Sequence, residues 1–263
     1  MKITDFKTFI VANPPPSFGG KYWIFLKLTT DTGIVGYGEA YGIPFHPDIA
    51  SKMIEDVCER YVVGVNPFQI EKLWRTIYSS GYTQRPDISI SGVLSAIEIA
   101  MWDILGKELN QPIYNLLGGK VHEKLRTYTY LYPKPKDKED VYKDANLAAA
   151  RAVEYQELGF TAVKFDPISE YRVNDPRELT LEELDHAENF VRAVRTAVGK
   201  NCDILIGTHG QMTAASAVRL AKRIEKFDPM WLEEPTPPAN IKALASVTKK
   251  TSIPVATGER LTT

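Results

Sequence analysis

Hydrophobic and polar side chains alternate with a period of two near the start of the chain. The alternation covers residues 3–11 and 22–29 and returns at 34–39. Between the last two segments, Asp31 and Gly33 stand in a turn signal typical of hairpins. The pattern predicts a three-stranded antiparallel meander.

The period then changes to that of helices. Apolar residues recur at three- and four-residue steps in segments that end before a pair of glycines; these segments are 48–61, 67–78 and 91–109. Together with the meander they predict one α+β domain over residues 1–120.

From residue 121 onward, short apolar segments alternate with helical ones. This order is typical of parallel βαβ units. The predicted strands are 125–131, 161–165, 204–206, 230–232 and 254–256, and the first two predicted helices cover 139–158 and 184–198.

Three strand-end positions, Gly207, Glu233 and Glu259, are each 26 residues apart in the sequence. An open doubly wound sheet would also give such a period, but no glycine-rich phosphate motif follows any of the strands. We therefore predict the α/β class, with a modified β/α (TIM-type) barrel preceded by an α+β capping domain. A closed barrel needs eight strands and typically about 250 residues, so residues 121–263 are expected to supply five βα units of an incomplete barrel. Residues 1–263 alone are not expected to be a stable, active enzyme.

Composition limits the classes of partner. The 263 residues are 44% hydrophobic and 25% charged, and 32 basic residues balance 33 acidic ones. This balance favours neither nucleic acid nor a membrane surface as a partner. Cys58 and Cys202 are predicted to be free thiols in a reducing cytosol. We expect a cytoplasmic homo-oligomer that acts on a small molecule.

Candidate chemistry lies where the predicted strands end, because barrel active sites form there. Lys164 and Asp166 end the second strand of the barrel, His209 follows the third, and Glu233 and Glu259 end the fourth and fifth. Two carboxylates on neighbouring strands suit Mg²⁺, with Mn²⁺ as the alternative. They could equally be surface loop acids.

The other three residues also have alternative interpretations. His209 is either a general acid or base or a loop histidine bonded to backbone. Lys164 is either directed into the barrel or solvated, and Asp166 is either catalytic or the start of a turn.

Several motifs resemble the mandelate racemase branch of the enolase superfamily. Residues 96–107 read AIEIAMWDILGK and are followed by PIYNLLGG at 112–119. WLEEP at 231–235 and TGER at 257–260 are similar to the second and third metal-ligand motifs of that branch, and the segment 30–40 resembles its capping domain.

The resemblance implies a metal-dependent enzyme. In its sugar-acid dehydratases, a divalent ion, usually Mg²⁺, binds the substrate carboxylate, and the α proton is removed to give an enediolate. A histidine after the third strand then protonates the departing β-hydroxyl, and His209 matches that residue. By the same resemblance Glu233 and Glu259 are metal ligands and Lys164 lies near the substrate carboxylate. The implied class is a hydro-lyase resembling the galactonate-type dehydratases.

Two positions depart from the family pattern. The first metal ligand of the family is an Asp two residues before the histidine, and here that position is Gly207. Asp166 is the residue we expect to compensate as an oxygen donor. The racemases carry a Lys-x-Lys pair where this chain has Lys164 and Asp166, which weighs against two-base racemisation.

Competing functions remain open. They are racemase, epimerase or cycloisomerase chemistry, and a metal-deficient pseudoenzyme. The loops that contain Tyr22, Tyr41 and Tyr171 suit a polyhydroxylated acid but do not identify one.

Overall fold

The computed structural model describes residues 1–80, 87–168, 170, 172 and 174–262. It divides into two compact units: Met1–Glu123 with Arg260–Thr263, and Lys124–Glu259. Tyr171 lies outside the described residues.

The first unit contains the predicted meander. Its strands are β1 (Ile3–Ala12), β2 (Tyr22–Thr30) and β3 (Val35–Ala40), paired antiparallel in sequence order. Gly33 has a φ of 84° in the turn between β2 and β3, a conformation that glycine adopts without strain. The meander prediction is confirmed.

The helices of this unit are α1 (Pro47–Val57), α2 (Ile70–Tyr78), α3 (Ile88–Glu108) and the short α4 (Ile113–Leu116). A π-helical turn at Cys58–Val62 extends α1. By length and composition α3 could cross a membrane. Ten of its residues are nevertheless buried, seven of them in the core beside the meander, so its apolar character matches its place as the core helix.

The second unit alternates strands and helices. Its strands are β4 (Thr129–Tyr130), β5 (Ala162–Phe165), β6 (Asp203–Gly207), β7 (Trp231–Glu233) and β8 (Val255–Ala256). The helices are α5 (Ala145–Glu157), α6 (Leu181–Val198), α7 (Ala214–Ile224) and α8 (Ile241–Thr248). In the described part of the chain the strands form one parallel sheet in the order β4-β5-β6-β7-β8, with no closed barrel. The α/β class and the five parallel strands are confirmed.

The two faces of this sheet differ in chemistry. Val163, Phe165, Ile204 and Ile206 are buried in the core that the helices share. Because side chains alternate along a strand, the residues between them point to the opposite face; these are Lys164, Leu205 and Gly207, joined in register by Trp231 and Glu233. This second face carries two of the charged candidates, Lys164 and Glu233.

Two predicted segments are shorter in the structure. Of the segment 125–131, only Thr129 and Tyr130 form a strand; they pair with β5, and the Leu131 amide donates a last hydrogen bond to the Lys164 carbonyl at 3.0 Å. Helix α5 starts at Ala145 rather than near 139, because the Asp144 carboxylate accepts hydrogen bonds from two backbone amides there and caps the helix. Cys58 and Cys202 are free, as predicted, and both are buried.

Candidate active site

The carboxyl ends of β6, β7 and β8 lie in one row. Gly207 is in register with Glu233, and Glu233 with Ala256. The loops that follow are held by hydrogen bonds. Thr208 Oγ1 donates to the Glu233 carbonyl at 2.5 Å, and Gly210 N donates to the Glu234 carbonyl at 2.7 Å. The strand ends are therefore fixed relative to each other.

Lys164 and Glu233 form an ion pair across the sheet face. Lys164 Nζ lies 2.6 Å from Glu233 Oε1, and the side chains are only 11% and 14% exposed. The other carboxylate oxygen of Glu233 accepts a hydrogen bond from Trp231 Nε1 at 3.0 Å. The Tyr128 ring lies 5.7 Å from the ammonium. Lys164 is thus not a solvated surface lysine.

Gly207 makes room for the Lys164 side chain. A Cβ atom at position 207 would lie 2.4 Å from Lys164 Cε and 3.1 Å from its Cγ. Such distances are far below van der Waals contact, so any larger residue at 207 would displace the lysine.

Asp166 and His209 form a second pair. His209 Nδ1 lies 3.4 Å from Asp166 Oδ2, which also accepts a hydrogen bond from Gln211 Nε2 at 2.7 Å. Gln211 Oε1 accepts from the His209 backbone amide at 2.6 Å. Asp166 Oδ1 accepts a hydrogen bond from Ile168 N at 3.0 Å. Asp166 therefore also starts a turn, which was the alternative to a catalytic role. One buried carboxylate therefore holds the loop by hydrogen bonds and lies beside the imidazole.

The Asp166–His209 pair opens on a cavity of about 580 Å³. Its lining includes Tyr130, Tyr142 and Arg172. Burial, with a smaller effect of the Asp166 carboxylate, raises the pKa of Tyr130 above its usual value, and burial raises the pKa of Tyr142 to about 12. Both phenols are therefore protonated at neutral pH and can donate hydrogen bonds to an oxygen-rich ligand.

Glu259 is not at a strand end. Strand β8 ends at Ala256, and Glu259 is exposed in a turn three residues later. The prediction that Glu259 ends its strand is wrong, because the ladder with β7 stops at Ala256. Tyr22 and Tyr41 belong to the first unit, where they line a separate cavity of about 270 Å³.

Sequence reasoning gave no role to three residues that fix this site. Gln211 and Trp231 bind the carboxylates of Asp166 and Glu233, and Glu234 is buried with its carboxylate accepting from Thr257 Oγ1 and Gly258 N. Their positions next to His209 and Glu233 were the available signal. The direction of each side chain was not readable from sequence.

Two family profiles match the chain in order. The profile of the mandelate racemase/muconate lactonizing enzyme N-terminal domain matches residues 14–118, and the profile described as enolase C-terminal domain-like matches residues 147–263. A solved mandelate racemase/muconate lactonizing enzyme from Jannaschia sp. CCS1 is 45% identical with a TM-score of 0.95, over 99% of this chain and 68% of that one. The chain belongs to the mandelate racemase/muconate lactonizing enzyme family. The resemblance inferred from the motifs is confirmed.

Curated relatives of this family member carry dehydratase names. D-xylonate dehydratase of Haloferax volcanii is 34% identical over 99% of this chain and 60% of its own length. D-galactonate dehydratase of Xanthomonas euvesicatoria is also 34% identical, over 99% of this chain and 62% of its own length. The chain therefore spans about three fifths of the length of the curated relatives it matches.

Enzymes of the enolase superfamily generally use Mg²⁺, but the described residues of this member do not fit a three-carboxylate site. Gly207 has no side chain to offer, Glu233 is bound by Lys164 and Trp231, and Glu259 is exposed in a turn. No group of three or more His, Cys, Asp or Glu among the described residues is placed to hold a metal ion. The assignment of Glu233 and Glu259 as metal ligands stays a prediction.

Proposed function

We propose that the intact protein is a sugar-acid dehydratase, a hydro-lyase acting on an aldonic or aldaric acid. Two features support this proposal. The curated relatives named above are dehydratases of D-xylonate and D-galactonate. His209 and Asp166 meet at the carboxyl edge of the parallel sheet, on a cavity large enough for a small acid.

The Asp166–His209 pair is the observation that carries the proposal. A carboxylate beside one ring nitrogen orients an imidazole, which can then exchange a proton at the other ring nitrogen, Nε2. His209 is 32% exposed on its side chain, so solvent and ligand can reach it, whereas Asp166 is buried. We assign His209 as the acid that protonates the departing β-hydroxyl. Asp166 and Gln211 are its positioning residues.

The reaction removes one water molecule. The C–H bond α to the carboxylate and the β C–O bond both break, an enol forms between these carbons, and the enol tautomerises to a 2-keto-3-deoxy acid. The proton on His209 leaves with the hydroxyl as water. The α proton passes to a base that the family resemblance places on later strands of the barrel.

The cavity wall carries two cations, on Lys143 and Arg172, together with three carboxylates, so the carboxylate of a substrate would bind at the cations. The Arg172 guanidinium lines the cavity and pairs with Glu170 and Glu183. Lys164 contributes an ammonium on the same sheet face as Glu233. Tyr130 and Tyr142 can donate hydrogen bonds to sugar hydroxyls.

A panel of aldonic and aldaric acids tests the proposal on the intact protein, with 2-keto acid formation as the measurement. We expect product from at least one acid, and a loss of about 100-fold or more in kcat for His209→Asn, as is typical when a general acid is removed. His186→Asn, a histidine on α6, is the matched control and should keep its rate.

Other outcomes identify the competing functions. Exchange of the α proton with solvent deuterium, without 2-keto product, would indicate a racemase or epimerase instead. Binding of sugar acids without either reaction would indicate a pseudoenzyme. Cytoplasmic location and homo-oligomeric assembly stay predictions.

A further inference from the structure

The ion pair between Lys164 and Glu233 has an unusual neighbour in Gly207. The lysine side chain crosses the position where a residue at 207 would carry its Cβ, and its ammonium then reaches Glu233 Oε1 at 2.6 Å. Gly207 and Glu233 are paired in register on adjacent strands. One cation therefore fills the space beside both positions.

The charges around Glu233 are already satisfied. Its Oε1 faces the Lys164 ammonium and its Oε2 accepts from Trp231 Nε1 at 3.0 Å. The two charged side chains are 11% and 14% exposed, so water screens their attraction only weakly. A divalent ion bound to Glu233 would have to displace the ammonium or lie next to a like charge.

We propose that the Lys164 ammonium is the resident counter-ion of Glu233, in the place where a divalent cation would bind, and that Gly207 is the residue that permits it. The absence of a side chain at 207 and the occupation of its space by the lysine then belong together. Glu233 in this chain positions a lysine rather than a metal ion.

With the Lys164 ammonium in the place of a divalent ion, an anionic ligand also meets a different cation. An ammonium has three N–H donors, and one of them is directed to Glu233. The others can bind a carboxylate oxygen of a ligand. The inference concerns the site of the proposed dehydratase, but it rests on contacts within the protein and is measured without substrate, so either proposal can fail while the other stands.

Mn²⁺ binding to the intact protein tests this inference. Binding is measured from the electron paramagnetic resonance signal of the free ion. In the wild type we expect no binding that depends on Glu233 at Mn²⁺ concentrations up to about 1 mM. The double variant Gly207→Asp with Lys164→Met replaces the ammonium by a second carboxylate. It should bind Mn²⁺ at least about tenfold more tightly than the wild type, since oxygen ligands suit this ion.

Three controls make the result specific. Adding Glu233→Gln to the double variant should abolish the gained binding. Gly207→Asp alone should gain little, because the new carboxylate would face the Lys164 ammonium. Lys249→Met, at an exposed lysine, should leave Mn²⁺ binding unchanged.

Wild-type binding of Mn²⁺ that Glu233→Gln weakens tenfold or more would overturn the inference. Wild-type binding that this substitution leaves unchanged belongs to other sites and agrees with the inference. A double variant that keeps the wild-type circular dichroism spectrum but binds no Mn²⁺ would also overturn it. If the double variant does not fold, the comparison of the wild type with Glu233→Gln decides alone.

Discussion

Lys164 Nζ lies 2.6 Å from Glu233 Oε1, and both side chains are largely shielded from water. Removing one member of such a pair leaves the other charge buried without compensation, which is the costly change. Removing both members costs less. The pair is therefore expected to behave as one unit when either residue is replaced.

Lys164→Met should lower the free energy of unfolding by about 3 kcal/mol, because the Glu233 carboxylate keeps its burial and loses its counter-ion. Adding Glu233→Gln should recover at least about half of that loss. Urea unfolding of the wild type, both single variants and the double variant measures this coupling. A cost for Lys164→Met no greater than that of the exposed Lys249→Met would contradict the prediction.

At the scale of elements, β3 and α3 approach so closely that only glycine fits between them. A Cβ at Gly38 would lie 1.9 Å from the Ala96 carbonyl oxygen, and one at Gly36 would lie 2.1 Å from the Ala100 carbonyl oxygen. Both obstacles are backbone atoms of a helix, so they cannot rotate away as a side chain can.

Gly38→Ala should therefore destabilise the first unit by about 3 kcal/mol or more, at the upper end of the usual cost of overpacking. Thermal or urea unfolding measures the effect. Glu39→Ala, the next residue along β3, provides the control and should cost far less. A stable Gly38→Ala variant would mean that α3 can shift away from the strand without loss.

Glu225 links the 3₁₀ turn after α7 to the loop that follows α8. Its Oε1 accepts hydrogen bonds from Ser252 N at 2.8 Å and Thr251 Oγ1 at 2.7 Å. The backbone bond from Ser252, followed by the bond from Thr251, lowers the pKa of Glu225 below its ordinary 4.5. A lowered folded-state pKa means that the ionised form stabilises the fold.

Glu225→Gln should thus reduce the free energy of unfolding at pH 7 by roughly 1 kcal/mol, since a neutral amide accepts these bonds more weakly. The contribution of the wild-type carboxylate is complete above pH 4.5 and is lost as the pH falls through the lowered folded-state pKa. Unfolding measured from pH 7 to pH 3 should show the two proteins converging below pH 4.5. A difference that stays constant over this range would exclude a charge effect.

At the scale of the whole molecule, family membership and the local contacts suggest different cofactor behaviour. The family match covers both predicted domains, and enolase-superfamily enzymes generally use Mg²⁺. The described contacts of Glu233 instead involve a lysine and a tryptophan. Thermal stability of the intact protein reports on this difference without any assay of turnover.

A magnesium site with a Kd of about 10 μM would raise the free energy of unfolding by about 4 kcal/mol at about 5 mM Mg²⁺, through mass action. We expect that adding Mg²⁺ or EDTA shifts the Tm of the wild type no more than it shifts the Tm of the Glu233→Gln variant. A Tm that Mg²⁺ raises by several degrees in the wild type, but not in Glu233→Gln, would show that the ion binds at Glu233 after all.

The sequence by itself determined the type and order of the elements. Local patterns of apolar residues predict the period of two in β1 to β3 and the alternation of strands and helices after residue 121. Such patterns can be recognised in the sequence without knowledge of tertiary contacts. It also determined that Lys164, Asp166, His209 and Glu233 would lie near the carboxyl edge of the sheet, because parallel strands end at a common edge. The domain boundary at residue 120 and closure of the barrel stay predictions.

Only the tertiary structure decided which of these side chains meet. Lys164 and Asp166 are only two residues apart, yet Lys164 in β5 binds Glu233 on β7, whereas Asp166, just past the end of β5, binds Gln211 and lies beside His209. Partner choice depends on rotamers, on the space left by Gly207 and on burial, and these are properties of packing across strands distant in sequence. Motif spacing could supply the residues but not the pairing, because a hydrogen bond forms only where the folded chain brings donor and acceptor within about 3 Å.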